Sequence, residues 1–167
     1  MEPFVTRDFV EPIMGFIATC PFLDKYHIDL SPAGVQKIPT SRPNASALES
    51  IGSVRISDSK DVLRNQRCNR QANFNLWLLR SARHNVQRKE TTDFLLNFEQ
   101  WVEHSQFAGE CPKFSTDKQD QDREDMWADN GIYFSEWEDG SDANLYLMQL
   151  HISYFNSYQN KEDLSWP

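Results

Sequence analysis

The chain has 167 residues, 39 % of them hydrophobic and 13 % aromatic, which argues for an ordered body with some long loops and leaves room for one domain that buries about two thirds of its unfolded surface. A net charge of -8 opposes general binding to nucleic acid, which rests on neutralising phosphates with Lys and Arg. The three cysteines, Cys20, Cys68 and Cys111, form no C-x-x-C pair and cannot all be bridged, which fits a reducing compartment.

The start, MEPFVTRDF, lacks a basic region followed by a long apolar run, and the apolar stretch Ile13 to Cys20 is too short to span a bilayer, so neither export nor insertion is expected. Apolar residues at Phe9, Ile13, Phe16, Ile17 and Cys20 follow helical spacing, with Asp8 as N-cap and Pro21 as terminator. Tyr26, Ile28 and Leu30 alternate as in a short strand, and the Pro- and Ser-rich stretch from Ser31 reads as a loop over about 31–46. A second strand is expected over Ala47 to Ser57, with Gly52 as the candidate for a bulge. A third covers Arg70 to Arg80. Its even positions, Ala72 to Leu78, are apolar throughout, while its odd positions turn from polar (Gln71, Asn73, Asn75) to apolar (Trp77, Leu79).

Between Thr91 and Gln106, the residues Phe94, Leu95, Phe98, Trp101 and Val102 fall on one helical stripe. The acidic stretch over about 107–130 reads as a long connection. Gly131 to Trp137 and Ala143 to Phe155 follow as a hairpin around EDGSD, with a short tail over 158–167. Asn144 to Phe155 would extend about 40 Å as one strand. Its even positions from Tyr146 to Tyr154 are apolar, and its odd positions turn polar after Leu145 and Leu147. The order α-β-β-β-α-β-β predicts a single α+β domain over 1–167, with a mostly antiparallel sheet and two main helices packed on one of its faces.

Enzyme patterns are missing. His27, His84, His104 and His151 are scattered, no H-E-x-x-H, nucleophile elbow or phosphate loop occurs, and there are only six glycines. In the run DKQDQDREDMWAD the calcium-loop glycine is replaced by Asp125 and the closing glutamate by Gly131, so a metal is not expected. No enzyme activity and no cofactor is predicted.

The stretches FIATCPFLDKYHID, NRQANFNLWLLRSA, LLNFEQWVEHSQ and LYLMQLHISYFNSY, in that order, resemble the tail-terminator proteins of long-tailed bacteriophages of Gram-positive bacteria, often filed as minor tail or minor capsid proteins. The resemblance covers about Phe9 to Tyr158 and lies in element order and general sequence character, because the family has no catalytic signature. It implies a structural virion subunit at the head-tail junction, assembled in the host cytoplasm into a homo-oligomeric, hexameric ring. Such a ring caps the tail tube, ends its polymerisation, contacts the tail tube protein and the head-completion or neck proteins, and lets DNA through its lumen without sequence-specific binding. No membrane is implied. The loop from Ser31 to Pro43 and the acidic stretch from Lys113 to Asp129 have no counterpart in the resemblance.

Charge is segregated along the chain. Arg64 to Lys89 holds seven basic residues and no acidic one, whereas Glu110 to Asp142 holds eleven acidic residues against three basic. A head-to-tail ring joins two different patches of one chain. It is therefore expected that Arg80, Arg83 or Arg88 reaches an acidic residue of the next subunit. Asp117, Asp120, Asp122, Glu124 and Asp125 are the candidates for that contact or, alternatively, for a lumen that repels DNA. Trp77, Leu79, Trp137, Leu145 and Leu147 are expected to form an apolar patch, either a partner site or a surface that the acidic stretch covers. Two alternatives are another connector or stopper ring of the neck, and a small nucleic-acid-binding module with Trp77 and Tyr133 stacked on bases.

Overall fold

The computed structural model describes residues 6–28, 45–81, 85–136 and 142–159, with 85–87 as backbone only. The elements are α1 (Val10–Ala18), β1 (Ala45–Lys60), β2 (Gln66–Ser81), α2 (Asn85–Phe107), α3 (Lys118–Gln121), β3 (Asp125–Glu136) and β4 (Ala143–Tyr158). The four strands form one antiparallel sheet in the order β1-β2-β4-β3. The fold is α+β.

The alternating patterns of β2 and β4 set their register. Leu76 pairs with Met148 and Leu78 with Tyr146, so the even positions of both strands share one face. Ile13, Phe16 and Ile17 of α1 and Phe94, Leu95, Phe98 and Val102 of α2 bury against that face in one core. Phe16 stacks on Trp101 with ring centroids 4.6 Å apart, which joins the two helices directly. Each Phe or Leu buried in this way contributes roughly 1.5–3 kcal/mol.

Several boundaries differ from the expected ones. Asp8 does not cap α1: Phe9 occupies the N-cap without a side-chain bond, and Thr19 Oγ1 donates to Phe16 O at 2.6 Å at the other end. Tyr26 and His27 lie in turns, where a strand over 26–30 was expected, and positions 29 and 30 are outside the described residues. α2 begins at Asn85, before the apolar stripe starts. Gly52 does mark a bulge, with φ 92° inside a register shift between Ser50 and Ser53.

The largest difference is in the acidic stretch. Its first part holds the short helix α3, and from Asp125 it is already strand β3. Met126 and Ala128 turn towards the core, where Met126 is fully buried, while Asp125, Trp127 and Asp129 alternate with them. Asp is depleted in strands, but the alternation places Met126 and Ala128 on the core face, and that burial holds the segment as a strand.

Candidate assembly surfaces

Arg80 is the first of the expected basic contacts, and the structure places it inside the chain. Only 5 % of it is exposed. Its guanidinium donates to the carbonyls of His27 at 2.7 Å and Tyr26 at 3.0 Å, and to Thr91 Oγ1 at 3.2 Å. Burial lowers its pKa from the ordinary arginine value, with Glu90 and Tyr146 opposing that shift. His27 sits at φ 55°, so Arg80 ties a left-handed turn to the end of β2. A guanidinium spent in this way cannot reach a neighbouring subunit. Arg83 lies outside the described residues. Arg88 is exposed and lies over the Tyr133 ring, 4.5 Å from its centroid.

The acidic candidates divide in two. Asp120 is buried, accepts a hydrogen bond from Arg67 of the same chain, and accepts another from Ser157 Oγ at 3.0 Å. Arg67 also lies 4.7 Å from the centroid of the Phe155 ring. Glu124 is buried as well, and accepts from Phe114 N at 2.7 Å and Ser115 N at 3.3 Å. Burial raises its pKa above the usual carboxylate range, against the pull of those two amides. Asp120 fastens the segment before β3 to the sheet, Glu124 ties that segment to itself, and both carboxylates are buried within the chain. Asp117, Asp122 and Asp125 remain exposed, although Asp117 caps α3 by accepting from Gln119 N at 2.9 Å.

Trp77 stands opposite Leu147 and Leu79 opposite Leu145, and these side chains cluster with Ala47 and Ala143. Trp137 lies outside the described residues. The patch is not an open surface, because Trp77, Leu79 and Leu145 are buried within the chain. Nor does the acidic stretch cover it, since Asp120 meets Arg67 and Ser157 at the far end of the same strands. Phe134 of β3 packs edge-on against Trp77 at 5.0 Å, and Trp77 Nε1 donates to Glu49 Oε2 at 3.2 Å. Tyr133 meets Tyr146 on the helix-covered face instead. Trp77 and Tyr133 therefore cannot form one stacking platform for bases.

Beyond the patch the open face is a polar network that residue patterns alone do not reveal. The two ring nitrogens of His151 lie 2.5 Å from Asn73 Oδ1 and 3.0 Å from Asp129 Oδ1, and its ring stacks on Trp127 at 5.1 Å. Gln71 Nε2 donates to the same Asn73 oxygen at 2.8 Å, and Ser153 Oγ donates to Asn69 Oδ1 at 2.9 Å. These contacts link side chains of β2, β3 and β4 across the open face.

The thiols are shielded. All three cysteines are free and buried, and burial pushes the thiols of Cys20 and Cys111 up to about 11. Among the described residues no group of three or more His, Cys, Asp or Glu is placed to hold a metal. No helix among them is long and apolar enough to cross a membrane.

What lies open is an arm. Every residue from Ser50 to Arg64 is exposed, including Ile51, Val54 and Ile56 on β1 and Val62 and Leu63 at the tip of the β1-β2 hairpin. The tip is held by Asp61, whose carboxylate accepts from Leu63 N, Asn65 N and Asn65 Nδ2, each at 2.9 Å. The Asn65 side chain, with those two amides, lowers the Asp61 pKa. Compared with known protein families and with curated proteins, the chain has no match in either.

Proposed function

We propose that this chain is a structural, non-enzymatic virion subunit that assembles into a ring, caps a phage tail tube, ends its polymerisation and joins it to the head-completion proteins. The observation that carries this reading is the exposed arm. A monomer that functioned alone would gain nothing from five large apolar side chains on one hairpin, whereas a ring subunit needs such a surface. The interior supports the same reading. Arg80, Asp120 and Glu124 are all engaged in fastening the chain to itself, which leaves loops and edges for contacts. The resemblance in element order to tail-terminator proteins adds the tail-to-head junction. A phage lacking this protein is expected to make tails of abnormal length that fail to join heads, as seen by electron microscopy. Tails of normal length with normal head attachment would refute the assignment.

A further inference from the structure

The two edges of the sheet are finished differently. On β3 the outward amides of Met126 and Gly131 are taken by α2, by Gln106 Oε1 at 3.2 Å and Glu99 Oε1 at 2.9 Å. On β1 no helix among the described residues lies alongside, and the residues from Ser50 to Lys60 are exposed on both faces. The register across the sheet shows what sits level with this arm on the opposite edge. Val54 pairs with Gln71, Gln71 with Ser153, and Ser153 with Asp125. Level with it too is the end of α2, because Gln106 caps Met126, and Met126 reads across through Ile152 and Ala72 to Ser53. There α2 closes on Gly109 at φ 74°, with Glu110 N bonded to Ser105 O at 2.9 Å, which leaves Phe107 94 % exposed.

Each edge therefore carries an exposed apolar surface with charge beside it. Arg55 reads across through Arg70 to Tyr154, next to the Ser153 that pairs with Asp125. Lys60 reads through Gln66 to Tyr158, next to the Ser157 that holds Asp120 two residues before Asp122. Asp58 and Asp61 on the arm and Arg123 on the other edge add charges of the opposite sign. Because all pairings are antiparallel, β1 and β3 run in opposite directions, and a second copy set beside the first continues that alternation. We propose that copies of this chain associate head to tail, the β1-β2 arm of one docking on the β3 edge of the next. In this contact the arm's apolar side chains cover Phe107, while Arg55 and Lys60 meet Asp122 and Asp125. Since α2 already takes the outward amides of Met126 and Gly131, the contact is made by side chains and not by an added strand. The inference rests on the ring reading and replaces Arg80 as its basic side.

Sedimentation equilibrium of the full chain tests it, using the arm reversal R55E/K60E, the edge reversal D122K/D125K, and F107S. All five positions are exposed, and circular dichroism checks each fold. The wild-type chain is expected to associate, more weakly as salt rises. Each reversal should weaken association on the order of tenfold or more, since it turns attraction into repulsion at two pairs. F107S should weaken it without changing the salt dependence. An equimolar mixture of the two reversed chains should recover association, because each supplies the charge that the other needs. Association untouched by either reversal would overturn this contact and leave the ring reading standing. A wild-type chain that stays monomeric at every concentration, with and without tube protein, would overturn both.

Discussion

Replacing Arg80 by methionine keeps most of the side-chain volume and removes every donor. Two carbonyls, of Tyr26 and His27, and the Thr91 hydroxyl then lose a charged partner. Hydrogen bonds from a charged group contribute roughly 1.5–3 kcal/mol each, and leaving buried acceptors unpaired is the costlier half of that exchange. Against this stands the relief of no longer burying a cation, the same burial that lowers the Arg80 pKa. Three weakened contacts, offset in this way, give a loss of about 3 kcal/mol. In a chain of this size that corresponds to a fall in Tm of roughly 6–12 °C. Urea unfolding followed by circular dichroism measures it, with R88M as the control. The guanidinium of Arg88 is exposed over Tyr133, so R88M should cost no more than about 1 kcal/mol. If R80M lost less than about 1 kcal/mol, or no more than R88M, Arg80 would not be the internal strut described above.

Glu124 gives a pH signature. Its folded pKa is raised above the ordinary 4.5, so its contribution to stability is fully present below about that value and is lost as pH rises through the folded pKa. The stability difference between wild type and E124Q should therefore change over that window and level off above it, measured by urea unfolding at a series of pH values; parallel curves would refute it. Gly131→Ala should destabilise by roughly 1–3 kcal/mol in thermal unfolding. The new Cβ would lie 2.9 Å from Leu95 Cβ and 3.2 Å from Met148 Cε, and an unchanged Tm would mean that α2 does not press on β3 as described.

What could be read from the residues, and what could not, follows from the range of the interactions. The even faces of β2 and β4 were legible because a two-residue period is written locally, and the coincident switch of both odd faces fixed Trp77 beside Leu147. The extra length of β1 was not, because beyond Glu49 its residues are exposed on both sides and carry no burial pattern. β3 was hidden by its acidic composition. The roles of Arg80 and Asp120 depend on Tyr26, His27 and Arg67, which are more than fifty residues away along the chain. A charge count marks such residues as surface, and only the fold reveals which charges have been drawn inside. Phe107 reads as the first residue of the acidic connection until Gly109 is seen to turn the chain away from it.

The two register shifts in β1, between Ser50 and Ser53 and between Arg55 and Ser57, also bear on how the protein is kept from the wrong kind of growth. A flat, unbroken edge with exposed isoleucine and valine would template any extended chain and nucleate fibres. The bulges bend this edge and break the spacing of its main-chain groups. Arg55, Asp58 and Lys60 add charge where an indiscriminate strand would have to settle. Such an edge discourages open-ended stacking, while its apolar side chains stay exposed.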